Sequence, residues 1–519
     1  MVIIIYATRC SDERCFQRIR RPLRSPGDWL AFEKYSRLVK YIDYNAHGIV
    51  DAAGYAQNPY TRCWIPMETY QALRDSRHGT FLPYLRGIHW QQPPAEDRCA
   101  AFLHLRMFLG PELRRVSFTV GGRFVRIPTL DTIFDTLQTE CPLLETIRLQ
   151  VEDNTSSELS ALLCSHFIGY SALRTITCSS NPLRMNDVAK LSSLPALTTM
   201  EIVVFPGGNI DLNTLARSQD KPLLSSSSTA WTFATLESLK FTGRLDCIDQ
   251  LALFLFPRLQ CLELMCDSSD VSRLSQPLFA TIASNCSHDH LRRIVIRDPR
   301  NDGHLVTHSS LAITPPHLRY LLKFRHLHYL KIKAHPWMTE YDDTIVMEMA
   351  SAWPEIEELK LNTAVWRIGW RTASMCATTL SIYVLSQACP SLCWLGILLD
   401  ARGAKQYEDI ALQIEQGRAR SSLPQECEMT MLTLGRSPID DPDRAARVLS
   451  WVLPENMLIR QGPNWVTYTE AELNDEEDSE DEVQEVLHAQ WAQFLELLPG
   501  YCSMREEERQ RGCGVEQEK

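Results

Sequence analysis

The side chains able to ligate a metal fall in two short clusters, Cys286 with His288 and His290, and Cys389 with Cys393. Structural zinc takes four ligands, usually from two paired clusters at fixed spacing. Neither cluster has a convincing second pair, so each has a plainer reading. His288 and His290 lie in a polar stretch, and Cys389 precedes a run of apolar residues as a core cysteine does. Nucleophilic chemistry lacks its usual frames. There is no glycine-serine-glycine elbow, no cysteine in a protease context and no phosphate-cradling glycine loop with lysine. Gly121-Gly122 and Gly207-Gly208 read as turns. The expectation is a chain with no catalytic residues, no cofactor and no metal, hence not an enzyme.

Basic residues, by contrast, recur at one place in a repeated apolar pattern. Lys240, Arg293 with Arg297, Lys331 with Lys333, and Lys360 each stand between or beside aliphatics spaced for a strand, and Tyr329 accompanies them. Side chains alternate along a strand, so residues flanking the buried aliphatics point to the opposite face. Stacked side by side, such strands would carry a basic stripe on a chain of net charge -11. The chemistry this offers is recognition of an acidic segment of a partner protein, with Tyr329 adding apolar contact. Glu263 and Glu358 interrupt the stripe, and lysines on strand faces are commonly just solvated, which is the competing reading.

The strands that would position these residues are visible as a motif. An aliphatic residue, two variable residues, a second aliphatic, one variable residue and a third apolar residue form the strand half of a leucine-rich repeat. The motif occurs at Leu85, Ile88, Trp90; Leu113, Val116, Phe118; Leu144, Ile147, Leu149; Leu173, Ile176, Cys178; and Leu197, Met200, Ile202. It continues at Leu236, Leu239, Phe241; Leu259, Leu262, Leu264; Leu291, Ile294, Ile296; Leu327, Leu330, Ile332; and Ile356, Leu359, Leu361. Leu392, Leu395, Ile397 and the weaker Met429, Leu432, Leu434 close the series, and Val39, Ile42, Tyr44 form a degenerate first unit. Units follow one another at about 23 to about 39 residues, against about 20 to 29 in regular arrays. Several therefore carry insertions.

The expected fold is α/β, an irregular leucine-rich-repeat solenoid with parallel strands on the concave face and helices and loops on the convex face. Asp131 to Thr139 and Thr378 to Ala388 have the apolar spacing of helices. Four strands follow an aromatic or cysteine and a proline: Cys141-Pro142, Phe256-Pro257, Trp353-Pro354 and Cys389-Pro390. Proline ends the preceding helix, and the apolar residue before it fills the turn between layers.

Along the chain, residues 1-24 form an N-terminal segment and 25-84 capping helices with the degenerate first repeat. Trp29, Phe32, Tyr35 and Leu38 recur there at helical spacing, either as the apolar face of a cap or as a partner surface. The array proper spans 85-458, with polar insertions at Leu224 to Thr229 and Asp298 to Thr307. Residues 459-485 read as an acidic disordered linker, because Glu470 to Glu485 is acidic at most positions and has no base. That stretch either solubilises the chain or folds back onto the basic stripe as a tethered competitor. Residues 486-519 form a C-terminal helix and tail, with helical periodicity from Val486 to Leu498.

Of the 519 residues, 45% are hydrophobic and 23% charged, the balance of a folded chain. The negative net charge does not suit a protein that grips nucleic acid over its whole surface. No apolar run reaches the roughly 18 residues of a membrane span, and the run after Met1 lacks a signal peptide's basic flank. Seventeen scattered cysteines fit a reducing compartment, cytoplasmic or nuclear.

Three stretches carry a family resemblance. Ser25 to Tyr44 holds Pro26, Asp28, Trp29, Phe32, Tyr35 and Arg37; Cys389 to Arg402 runs into Leu399, Asp400, Ala401 and Arg402; and Ser437-Pro438-Ile439-Asp440-Asp441-Pro442 follows. Together they resemble the F-box and leucine-rich-repeat proteins that are numerous in mushroom-forming fungi. The resemblance implies a substrate-recognition subunit of a cullin-type ubiquitin ligase, whose F-box grips an adaptor while the repeats hold the protein to be modified. An F-box is a helical module of about forty to fifty residues, and Met1 to Arg24 contains none. An adaptor is therefore expected as a partner only with an F-box restored upstream. The alternative is a repeat scaffold or decoy that only binds a protein partner.

Overall fold

Thirteen times the chain offers the same trio of apolar positions, and a parallel sheet is the structure that buries such trios against one another. A computed structural model describes residues 30, 33–34, 36–44, 81–91, 105–120, 127–151, 157–204, 230–244, 248, 250–267, 275–297, 313–333, 341–361, 377–419, 428–435, 437–454, 457–461 and 478–516. They fall in two units, residues 1–242 with 253–255, and residues 243–252 with 256–519.

In the first unit the strands run β1 (Tyr41–Tyr44), β2 (Gly87–Gln91), β3 (Arg115–Val120), β4 (Thr146–Val151), β5 (Thr175–Leu183) and β6 (Thr199–Val204). All pair in parallel with their sequence neighbours. The middle aliphatics stack in register: Ile88 lies opposite Val116, which faces Ile147, then Ile176, then Met200. Each is at most 3% exposed. A two-residue strand, β7 (Trp231–Thr232), precedes β8 (Ser238–Arg244) and pairs with β9 (Phe254–Leu255). Helices α1 (Ile127–Glu140), α2 (Ser157–Ile168) and α3 (Met185–Lys190) fill the connections.

The second unit repeats the plan with β10 (Cys261–Asp267), β11 (Arg293–Arg297), β12 (Tyr329–Lys333), β13 (Glu358–Leu361), β14 (Trp394–Gly396), β15 (Met431–Gly435) and β16 (Leu458–Gln461). Leu262, Ile294, Leu330, Leu359, Leu395, Leu432 and Ile459 stack in register. Between the strands lie α4 (Ser275–Asn285), α5 (Pro315–Leu321), α6 (Asp343–Ala352), α7 (Thr379–Ala388), α8 (Ala404–Ala419) and α9 (Pro442–Leu449), and α10 (Asp478–Glu516) follows. The fold is an irregular leucine-rich repeat of parallel strands and intervening helices, as the motif predicts.

One hydrogen-bond device recurs where most of the long sheet's strands begin. Two successive backbone N–H groups donate to a single carbonyl of the preceding repeat. Arg114 and Arg115 donate to the Arg86 carbonyl, and Arg174 and Thr175 to that of Glu145. In the second unit His328 and Tyr329 donate to Arg292, Glu357 and Glu358 to His328, and Cys393 and Trp394 to Glu357, all at 2.8–3.1 Å. A tight turn precedes this device. Its closing N–H bonds run from Leu144 to Cys141, Ile356 to Trp353 and Leu392 to Cys389, at 3.1–3.2 Å. Proline follows the first turn residue in each case, the position that its fixed φ favours. Cys141, Trp353 and Cys389 are completely buried.

The helix side is fastened by side chains that reach from one repeat to the next. The Asp343 carboxylate of α6 accepts from the Thr378 N–H at 2.9 Å, the Thr378 hydroxyl at 2.8 Å and the Ser381 hydroxyl at 2.6 Å. One repeat later Gln406 Oε1 of α8 accepts from the Thr379 N–H at 2.8 Å and its hydroxyl at 2.7 Å. Two stretches that carry the family resemblance lie in this region and are structural. The Arg402 guanidinium grips Asp400 through both oxygens, and Asp441 caps α9 by accepting from the Arg444 N–H. Helix α10 closes the unit: Trp491, Phe494, Leu498 and Cys502 are buried, and the Trp491 indole donates to the Ser437 carbonyl at 2.7 Å.

Several expectations need correction or bounding. Leu38 is 71% exposed rather than part of a buried cap face, because the turn after Ser36 carries it out of the helix; Trp29, Phe32 and Tyr35 lie outside the described residues. The segment 459–485 is not wholly disordered. Pairing with β15 holds Leu458–Gln461 as a strand, and α10 begins at Asp478. Residues 462–477, the serine run, the insertion from Asp298 to Thr307, both glycine pairs and Met1 to Arg24 lie outside the described residues.

Candidate functional site

Residues between the stacked aliphatics point to the open face of each sheet, opposite the helices. On β11 to β14 of the second unit this face carries a connected chain of side chains. The Arg293 guanidinium lies 3.6 Å from the centre of the Tyr329 ring. Glu358 pairs with Lys360 two residues along the same strand, and the Lys360 ammonium sits over the Trp394 ring. The Trp394 indole donates to the Thr433 hydroxyl at 3.2 Å. Lys360 is consequently only 8% exposed.

Lys331 and Lys333 are placed differently. Lys331 lies opposite Lys360, and Lys333 opposite Arg297, in the strand register. Like charges directly opposite one another destabilise a sheet. Among the described residues no acid forms an ion pair with either lysine. Burial, and then the Arg297 charge beside them, lower both ammonium pKa values below the ordinary lysine range. Among the described residues Arg297 pairs with Glu263 alone, at the long distance of 3.9 Å, and its Nε is buried with no hydrogen-bond partner. Arg297, Lys331 and Lys333 thus form a basic cluster in which, among the described residues, the acids at hand are Glu263, at long range from Arg297, and Glu358, whose charge reaches Lys331 without an ion pair.

The expected stripe is therefore redistributed. Lys240, in the first unit, is held by Glu201 at 2.6 Å. Arg293, Arg297, Tyr329, Lys331 and Lys333 occupy neighbouring strands of the second unit, and Lys360 is turned inward among them. Sequence reasoning missed this pairing although a signal was present. Glu201 and Lys240 occupy the same position of successive repeats, and Glu358 precedes Lys360 by two, the spacing that puts both on one strand face.

The cysteines and histidines that resemble ligands do not converge. Cys286 is buried and its thiol is pushed up to about 12 by burial. His288 Nε2 lies 2.7 Å from the Ala283 carbonyl, and His290 Nδ1 2.9 Å from the Ser287 hydroxyl. Cys389 is core, its thiol 3.4 Å from the Trp353 carbonyl, while Cys393 is turned to the Ser391 carbonyl.

No protein-family model and no curated protein matches the chain. Among solved structures it is similar to an internalin from Listeria monocytogenes, at 13% identity and a TM-score of 0.36 over 77% of this chain and 90% of that one. It is also similar to a chain of a TLR13-ssRNA13 complex, at 11% identity and a TM-score of 0.31 over 74% of this chain and 50% of that one. At such distances the repeat architecture rests on this chain's own strand registers and turns. Among the described residues no helix is long and apolar enough to cross a membrane.

Proposed function

We propose that the chain is a non-enzymatic binding protein whose second repeat array holds an acidic segment of a partner protein at Arg297, Lys331 and Lys333. The observation that carries this reading is a basic cluster whose two lysines form no ion pair among the described residues, on a chain of net charge -11. An acidic side chain laid there would relieve the opposed cations, while the Arg293–Tyr329 stack offers an apolar wall. Buried thiols pushed up to about 12, as at Cys141 and Cys389, are protonated at neutral pH and make poor nucleophiles.

The finer reading is substrate recognition for a cullin-type ubiquitin ligase, supported by the resemblance of Ser25 to Tyr44, Cys389 to Arg402 and Ser437 to Pro442 to F-box and leucine-rich-repeat proteins. That reading further requires an F-box to bind the adaptor. The second reading is a scaffold that binds its partner without a ligase. Affinity purification separates them, using the chain as given and with any upstream reading frame restored. Co-purification of adaptor and cullin supports the ligase reading; a partner without them leaves the scaffold. In either case the double variant Lys331→Glu, Lys333→Glu should lose the partner by at least about tenfold in affinity. Lys240→Gln should retain it within about twofold, because Lys240 is already neutralised by Glu201. Equal retention by both variants would remove the basic cluster from the account.

A further inference from the structure

On the helix side of the first unit, three ligating side chains converge that take no part in the strand face. Asp131 and Asp135 stand one turn apart on α1, where residues four apart share a face. His166 reaches them from α2. Its Nε2 lies 2.8 Å from Asp131 Oδ1 and its Nδ1 3.8 Å from Asp135 Oδ1. One donor atom from each residue falls within 4.8 Å of the others.

The imidazole is the fixed member. His166 is 8% exposed and stacks on Phe134, with ring centres 5.5 Å apart and planes 25° from parallel. The backbone under Phe134 is itself tied down, because the buried Tyr170 hydroxyl donates to the Phe134 carbonyl at 3.0 Å. The carboxylates are the adjustable members, with side chains 50% and 68% exposed for Asp131 and Asp135.

Charge leaves this cluster incomplete. Two carboxylates face one imidazole, so the group is net negative whether or not the ring is protonated. Among the described residues neither acid pairs with a lysine or arginine. Like charges four apart on a helix oppose each other by about 0.2–0.5 kcal/mol. The imidazole hydrogen-bonds Asp131, while Asp135 at 3.8 Å stands beyond that reach.

The geometry points to a divalent-metal site of the zinc class, with one imidazole nitrogen from His166, one oxygen each from Asp131 and Asp135, and water in the remaining position. Donor atoms around tetrahedral zinc lie roughly 3.3 Å apart, given bonds of about 2.0–2.1 Å. Asp131 Oδ1 lies inside that spacing at 2.8 Å and Asp135 Oδ1 outside it at 3.8 Å, so small rotations of the two exposed carboxylates, in opposite senses, reach it. The ion would bridge α1 to α2 and stabilise the first unit by an amount that rises with the logarithm of zinc concentration above its dissociation constant.

The test is calorimetric titration of the full-length reduced chain with zinc chloride, beside Asp135→Asn and His166→Gln, and with cobalt(II) as a spectroscopic probe. The wild type should bind zinc at a site that Asp135→Asn weakens by at least about tenfold, and zinc should raise the thermal midpoint of the wild type more than that of the variant. Cobalt at this site should show ligand-field bands without thiolate charge transfer. Asp135 is exposed, so its amide variant keeps the fold even if His166→Gln does not. Absence of zinc binding, binding unchanged in Asp135→Asn, or binding solely through thiolates would each overturn the site.

Discussion

Lys331 and Lys360 face each other across β12 and β13, and their surroundings give them different work. Glu358 and Trp394 enclose the Lys360 ammonium, whereas Lys331 faces Arg297 and Lys333 and is discomfited by both burial and charge. The buried cysteines give a pH prediction at the same scale. Burial pushes the thiols of Cys141, Cys178, Cys286 and Cys389 up from 9.0 to about 12. Below pH 9.0 these thiols are protonated in both the folded and unfolded chain, and their contribution is fully present. As pH rises from 9.0 toward 12 the unfolded chain releases protons that the folded one keeps, so stability falls. Urea unfolding should show a loss of more than about 1 kcal/mol between about pH 8 and about pH 10, and a flat profile would mean that these thiols are not buried in solution. The cation positions themselves were legible in the sequence. Their pairing state was legible only where repeat position or i,i+2 spacing gave it, since the orphaned Arg297 Nε depends on packing that no motif encodes.

At the scale of elements, the apolar trio located the strands because each aliphatic has one place to be buried, against its counterpart in the next repeat. β16 escaped that reading: Leu458 is 63% exposed, so the terminal strand lacks the full motif and is held by pairing with β15. The helices at Asp131 to Thr139 and Thr378 to Ala388 were legible from apolar spacing. The polar links between helices were not, because Asp343, Thr378 and Ser381 are unremarkable until folding places them together. That link can be tested. Asp343→Ala should cost about 1–3 kcal/mol, since it strips the acceptor from one N–H and two hydroxyl donors at the start of α7. Chemical denaturation would measure the loss, and Asp343→Asn should recover part of it by keeping one acceptor oxygen. A cost within about 0.5 kcal/mol would show that water replaces the carboxylate.

For the molecule as a whole, a net charge of -11 means that the proposed attraction of an acidic partner to the cationic cluster would act only at close range, since salt screens charges beyond about 8–10 Å. The paired N–H donors where most strands begin have a further consequence, which is polarity. Every such bond runs from a repeat back to a carbonyl of the one before it, so a repeat lends acceptors forward and borrows them from behind. Damage should therefore travel one way as read by amide exchange. Leu330→Ala should destabilise its repeat by about 2–5 kcal/mol. It should speed exchange at Glu357 and Glu358, which lean on the His328 carbonyl, more than at Arg292 and Arg293, which lean on that of Gln260. Equal acceleration on both sides would mean that the repeats melt as one block. If the asymmetry holds, the array behaves as a ratchet, in which each repeat vouches for its successor but not for its predecessor.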